Sequence, residues 1–274
     1  MIPLLIYTDL DGTLLDHHTY RADAALTAIQ KLKQSGIPLI FCSSKTIDEQ
    51  IHLQKVLQIH APFIAENGGA ISWPEDYFLS AHVPSGVYWH GYQVLSFSSV
   101  NRAEILEVLQ IAPAKWGLRG FSDLSPEELA KYTSLDDAGL IRAQNRWYTE
   151  TLVSPVLEDQ DTAQALKQWL SDYGLTLIKG GRFWTVQAAN VHKGAAVRWL
   201  TRLFRKITGS KIPDAAIGDS MNDIPMLQAA NMAFLVRNGN LEWAPMEMKH
   251  LVKLNHPGPK GFQEAVDMLG MSLL

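Results

Sequence analysis

Leu4-Leu5-Ile6-Tyr7-Thr8-Asp9-Leu10-Asp11-Gly12-Thr13-Leu14 opens with a short apolar run and breaks into a turn at Asp11-Gly12. An apolar run this short, bounded by a turn, reads as a buried strand. Two carboxylates, Asp9 and Asp11, follow it two residues apart. One is suited to attack an electrophilic centre and the other to move protons. Close carboxylates repel, so a cation is needed to keep both ionised, and magnesium, an oxygen-seeking ion that co-ligates phosphate, suits them. Gly12 permits the tight turn that leaves both side chains facing one crevice.

The pattern repeats outward. Ala24, Ala25, Ala28, Ile29 and Leu32 recur at helical spacing from Asp23 to Gln34, and Ser35-Gly36 closes that helix. Ile37 to Cys42 is a second buried strand, Thr46 to Leu57 a helix, and Phe63-Ile64-Ala65 a third strand. This alternation predicts an α/β fold with a doubly wound, parallel-sheet (Rossmann-like) core. In such sheets, sites gather beyond the carboxyl ends of the strands. Asp9, Ser43 and Glu66 all follow strand runs, so their loops are expected to converge.

From Pro84 to Arg182 the alternation weakens. Helices are predicted at 101–110, 126–135 and 161–173, and strands at 147–156, 175–178 and 183–187. The mixture suggests an inserted α+β cap domain. The expected division is a core of residues 1–83 and 187–274 with a cap of residues 84–186. Beyond it, Lys193 to Lys206 reads as a helix, Ala215 to Ile217 as a strand, Pro225 to Ala230 as a helix and Ala233 to Val236 as a strand.

The second acidic constellation, Gly218-Asp219-Ser220-Met221-Asn222-Asp223, again follows a strand. It offers two more carboxylates, although Asn222 or Asp223 would equally serve as a helix N-cap. In Ser43-Ser44-Lys45-Thr46 a hydroxyl at the strand end can donate to a phosphoryl oxygen, while Ser44 is as readily an N-cap. Lys193-Gly194, at a helix start, supplies the cation that the other motifs lack.

The chain has 274 residues, 47% of them hydrophobic, and a formal net charge of -4. That composition supports a large core and argues against nucleic acid or an anionic membrane as partner. One cysteine, Cys42, excludes an internal disulfide. No apolar stretch approaches the ~20 residues of a spanning helix, and no basic residue precedes the N-terminal run. A cytoplasmic protein is expected. Trp147, Trp184 and Trp199 are expected in cores rather than as sugar platforms.

The four motifs, in this order, resemble the haloacid dehalogenase superfamily of phosphatases. The resemblance implies that Asp9 is the nucleophile, Asp11 the general acid and base, Ser43 a phosphoryl donor and Lys193 the bridge between Asp9 and phosphate. It implies magnesium held by Asp9, Asp11 (through its carbonyl), Asp219 and Asp223. The long insertion is similar to the cap of the Cof-like branch. Pro62 to Gly69, Gly180 to Trp184 and Gly258 to Phe262 are similar to segments of mannosyl-3-phosphoglycerate phosphatases. His192 departs from the family, where an Asp commonly precedes Lys-Gly. A glycosyl phosphoglycerate needs cations for its carboxylate, and Lys45, Arg142 and Arg182 are the candidates, because a guanidinium grips a carboxylate in a bidentate way. Ser44, Asn67 and Gly68 are expected to add polar contacts. The alternatives are a broad sugar-phosphate phosphatase, a phosphomannomutase-like phosphotransferase, which needs a second phosphate clamp that the cap sequence lacks, and a non-enzymatic binding module, which loss of Asp9, Asp11 or Lys193 would favour.

Overall fold

The computed structural model describes residues 2–79 and 82–272. Met1 lies outside the described residues. The chain opens β1 (Leu5–Thr8), α1 (Leu26–Gln34), β2 (Leu39–Cys42), α2 (Ile47–Leu57) and β3 (Phe63–Ala65), as the alternation predicts. Thr46, not Ser44, caps α2. Its hydroxyl accepts from the Glu49 amide at 3.1 Å, and the Glu49 carboxylate accepts from the Thr46 amide at 2.9 Å. β4 (Ala70–Pro74), β5 (Val87–Trp89) and β6 (Tyr92–Ser96) follow.

The middle segment holds α3 (Arg102–Gln110), α4 (Pro126–Ala130), α5 (Asp137–Gln144), β7 (Thr149–Leu152), α6 (Gln160–Ser171), β8 (Leu175–Lys179) and β9 (Trp184–Ala188). The helix expected over 126–135 is shorter, and a second helix, which the sequence reading does not include, begins beyond it. The first stops at Ala130, and Asp136 starts the second by accepting from the Gly139 amide at 2.7 Å. The chain ends with α7 (Lys193–Thr208), β10 (Asp214–Gly218), α8 (Ile224–Ala229), β11 (Met232–Arg237), β12 (Leu251–Pro257) and α9 (Gly258–Ser272).

One nine-stranded sheet runs β12-β11-β10-β1-β2-β3-β4-β6-β5. It is parallel from β12 to β3 and antiparallel from β3 to β5. The core sheet is therefore mostly parallel, with an antiparallel extension that the sequence pattern does not announce. Residues 87–96, expected in the cap, pair into this large sheet. A separate antiparallel sheet, β7-β9-β8, belongs to the insertion and extends to Ala188.

Strand β1 shows why the large sheet is buried on both faces. Leu4 and Ile6 face one apolar cluster with Ile29, Ile51 and Phe262 of α1, α2 and α9. Leu5 and Tyr7 face the other, with Val197, Leu200 and Met226 of α7 and α8. Side chains alternate along a strand, so a near-continuous apolar run serves both helix layers. The insertion packs one sheet face, Leu152, Leu175, Leu177 and Val186, against Ile105, Leu166 and Leu170 of α3 and α6. Trp147, Trp184 and Trp199 are each partly buried against one of these clusters, as expected.

Candidate active site

In strand order the chain leaves β1 in both directions, toward β2 and β3 on one side and β10 to β12 on the other. Such a reversal opens a crevice at the carboxyl ends of the two central strands. Asp9 follows β1 and Asp219 follows β10, and the Asp9 amide donates to the Ile217 carbonyl at 2.9 Å, fixing the two loops side by side.

Gly12 sits at φ +85°, and a Cβ there would lie 2.7 Å from Asp219 Oδ2. Both facts require glycine: the conformation is left-handed, and the Asp219 carboxylate occupies the space a side chain would take. Gly12→Ala is expected to displace Asp219 and lower kcat by about 10²-fold with the fold retained. Steady-state kinetics alongside circular dichroism check this, and unchanged kcat would contradict the packing argument.

Lys193 is the first residue of α7. Its neighbour His192 caps that helix, with Nδ1 accepting from the Ala195 amide at 3.2 Å. His192 therefore serves as the N-cap of α7. Gly194 lets the helix start close on Pro225, whose carbonyl a Cβ would strike. Lys193 is 1% exposed, and its Nζ lies 2.6 Å from both Asp9 Oδ1 and Asp223 Oδ1. Asp223 stands at the N-cap position of α8, but its carboxylate makes no cap bond to that helix. Its other oxygen accepts from the amides of Asp219 and Ser220, each at 3.1 Å, and braces the loop that carries Asp219. Thr13 Oγ1 donates to Asp219 Oδ1 at 3.2 Å.

Asp9, Asp219 and Asp223 are buried, and their ligand atoms lie within 4.8 Å of one another. Burial, then the Asp223 charge, pushes the Asp9 carboxyl up to about 7, with Lys193 pulling the other way. Burial and the charges of Asp223 and Asp9 raise Asp219 as well. Burial works against the Lys193 ammonium, but Asp223 and Asp9 hold it above the usual lysine range. Three carboxylates facing one ammonium leave two negative charges uncompensated. An all-oxygen donor set with that deficit fits a hard divalent cation. The three residues could hold such an ion, and the Asp11 carboxylate is outside the group.

Asp11 points the other way. Its Oδ2 lies 3.1 Å from Lys45 Nζ, and its buried Oδ1 has no hydrogen-bond partner among the described residues. Lys45 also contacts Glu49 at 3.4 Å, and although burial opposes its charge, Asp11 and Glu49 raise its pKa. Ser43 is 1% exposed and accepts from the Lys45 amide at 3.3 Å.

A cavity of about 110 Å³ opens above these residues, lined by Asp9, Asp11, Ser43, Ser44, Lys45 and Arg182 among others. Arg182 Nη1 donates to the Tyr20 hydroxyl at 2.7 Å, joining the insertion to the loop after Asp11. Arg142 does not line the cavity; its guanidinium lies 3.8 Å from Asp136. Arg146 takes that place. It follows the end of α5, is 7% exposed, and donates to Thr149 Oγ1 at 2.8 Å and to the Ser44 carbonyl at 2.5 Å. Asn67 and Gly68 also lie elsewhere. Asn67 donates to Gln187 Oε1 at 3.1 Å, and Gly68 packs on the His192 backbone. Asn67 borders a wider cleft of about 890 Å³ on the Lys193 side.

Glu66 does not join the crevice as expected. Its carboxylate accepts from the Trp147 amide at 2.8 Å, the Tyr148 amide at 3.0 Å and the Thr149 hydroxyl at 2.6 Å, clamping the insertion to the core. Tyr20 and Arg146 are among the cavity residues that sequence reasoning missed. Tyr20 holds φ +56°, and neither position carries a local motif.

A family model described as haloacid dehalogenase-like hydrolase matches residues 6–86 and 126–247. The chain belongs to that family. It is also 38% identical over 273 residues to a glucosyl-3-phosphoglycerate/mannosyl-3-phosphoglycerate phosphatase of Methanococcoides burtonii, covering 97% of each chain. A protein of the same description from Persephonella marina is 31% identical, covering 96% of each chain. The enzyme is thus a phosphoric monoester hydrolase. Among solved structures, a Synechocystis sucrose-phosphatase superposes with a TM-score of 0.61 at 16% identity, over 98% of this chain and 99% of that one. A Thermoplasma acidophilum protein gives 0.64 at 16% identity, covering all of both chains. At that identity the likeness speaks for the fold. No helix among the described residues is long and apolar enough to cross a membrane.

Proposed function

We propose that the enzyme is a magnesium-dependent phosphomonoesterase that works through a phosphoryl-aspartate at Asp9. Its substrate is a glycosyl-3-phosphoglycerate, with mannosyl-3-phosphoglycerate the first choice. The observation that carries the chemistry is Lys193 Nζ at 2.6 Å from both Asp9 and Asp223, with Asp11, which has an unpartnered oxygen, lining the same cavity as Asp9. Likeness over 97% of both chains to a phosphatase named for these esters supports the substrate.

Asp9 attacks phosphorus with the oxygen that Lys193 leaves free. The bond from phosphorus to the 3-oxygen of the glycerate breaks, and Asp11 supplies that oxygen's proton through Oδ1. Water then attacks the phosphoryl-aspartate, giving its proton to Asp11, and phosphate leaves with Asp9 restored. Ser43 and Lys193 hold the phosphoryl oxygens as charge shifts onto them. Asp9, Asp219 and Asp223 would hold the magnesium ion, with the Asp11 carbonyl as the further ligand the family resemblance implies. The ion supplies charge neutralisation for the incoming phosphoryl group.

The glycerate carboxylate needs a cation not already spent. Lys45 is paired with Asp11 and Glu49, whereas Arg182 and Arg146 have no carboxylate within ion-pair distance among the described residues. These two guanidinium groups are the carboxylate clamp. Arg182→Ala is expected to raise KM for mannosyl-3-phosphoglycerate about 10- to 100-fold and to leave p-nitrophenyl phosphate hydrolysis nearly unchanged. Equal effects on both would refute the clamp. A phosphate-release panel of glucosyl- and mannosyl-3-phosphoglycerate, plain sugar phosphates and phosphoglycolate, with and without magnesium, tests the reading. Preference for a plain sugar phosphate over both glycosyl esters would overturn the substrate assignment.

A further inference from the structure

The sheet of the insertion has two unlike faces. One is apolar and packs on α3 and α6. The other carries Thr149 opposite Gln187 and, two residues along each strand, Thr151 opposite Thr185. Alternation puts all four on one face.

The first pair is committed to holding the insertion in place. The Thr149 hydroxyl donates to Glu66 at 2.6 Å, and Gln187 donates to the Val191 carbonyl at 2.7 Å while accepting from Asn67 at 3.1 Å. The second pair lines the cavity above Asp9 and Asp11. Thr151 is 4% exposed and Thr185 5%, yet neither hydroxyl bonds to another described residue. The residues are buried but the two hydroxyl oxygens are open to the cavity, so both stay free to donate to and accept from a polar ligand seated there. Directly opposed strand residues set their Cβ atoms about 5 Å apart, so both hydroxyls reach one ring-sized group. Beside them Phe121 and Phe183 line the same cavity, their rings edge to face at 5.3 Å. Neutral hydroxyls that donate and accept, next to aromatic walls, suit a group with hydroxyls on its rim and C–H on its faces. The anionic part of the ligand has Arg182 and Arg146.

We propose that Thr151 and Thr185 are the residues that recognise the sugar hydroxyls of the substrate, setting preference for glycosylated over sugar-free phosphoesters. The proposal rests on the glycosyl-phosphoester reading above. It is tested with T151V and T185V, which replace each hydroxyl by a methyl and keep the β-branched shape. For each variant, kcat/KM on mannosyl- and glucosyl-3-phosphoglycerate is expected to fall about five- to ten-fold, with p-nitrophenyl phosphate unaffected. Thr185→Ser, which restores a hydroxyl, should recover most of the loss. A parallel fall on p-nitrophenyl phosphate would mark a structural role and overturn the proposal, as would unchanged kinetics on the glycosyl esters. A wild-type enzyme that hydrolyses p-nitrophenyl phosphate but neither glycosyl ester refutes the substrate reading and this proposal with it. Wild-type turnover of the glycosyl esters with undiminished variants refutes this proposal alone.

Discussion

Asp9→Asn is expected to lower kcat by about 10⁴-fold or more while the protein folds normally. The carboxamide is isosteric, and its oxygen still accepts from Lys193, now 2.6 Å from Asp9 Oδ1. What it loses is nucleophilicity, because the nitrogen that replaces the free oxygen has its lone pair delocalised into the amide. The substitution also lightens a crowded acidic site, in which burial and Asp223 already disfavour the Asp9 charge. Folding is therefore not the expected casualty. Phosphate release with magnesium present, read beside a thermal melt, separates the two. Turnover within about 10²-fold of wild type would remove Asp9 from the nucleophile role.

Lys193→Ala carries the second large effect, on rate and stability together. Lys193 is buried and is the ammonium that bridges Asp9 and Asp223. Removing one partner of a buried ion pair leaves uncompensated charge and costs about 3–5 kcal/mol. Removing a positioned cation from the phosphoryl group costs a further rate factor of about 10²–10³. Both losses should appear in one preparation, as a lower melting temperature and a lower kcat. Lys193→Arg should not restore activity, since the fully buried ammonium sits 2.6 Å from both carboxylates as a point charge, a geometry that a larger, planar guanidinium does not reproduce. A variant with normal stability and normal kcat would contradict the bridging role.

The sequence was most informative where chemistry and local structure coincide. Asp9, Asp11, Ser43 and Asp219 follow short apolar strands, and a parallel sheet brings such ends together without further instruction. Lys193 was recognisable because it starts a helix, beside a glycine, and supplies the cation that the other motifs lack. Other features depended on distant contacts. β4 is buried along its length and β5 is three residues long, so neither shows the alternation that marks a half-exposed strand. Arg142 has a helical position that reads well, but α5 turns it toward Asp136. Arg146 faces the cavity because the helix has already ended. Tyr20 meets Arg182 across 162 positions of chain, a contact that no local pattern encodes. Glu66 was seen as a strand-end carboxylate, and only its three donors from residues 147–149 reveal a clamp rather than a catalytic group.

The central claim is that phosphorus passes through Asp9 before it reaches water. The stereochemical course at phosphorus tests it most directly. A phosphate monoester with an isotopically chiral phosphoryl group is hydrolysed in isotopically labelled water, and the configuration of the released phosphate is read. Two successive in-line displacements, by Asp9 and then by water, predict net retention. Net inversion would mean that water attacks the substrate directly, and would contradict the account.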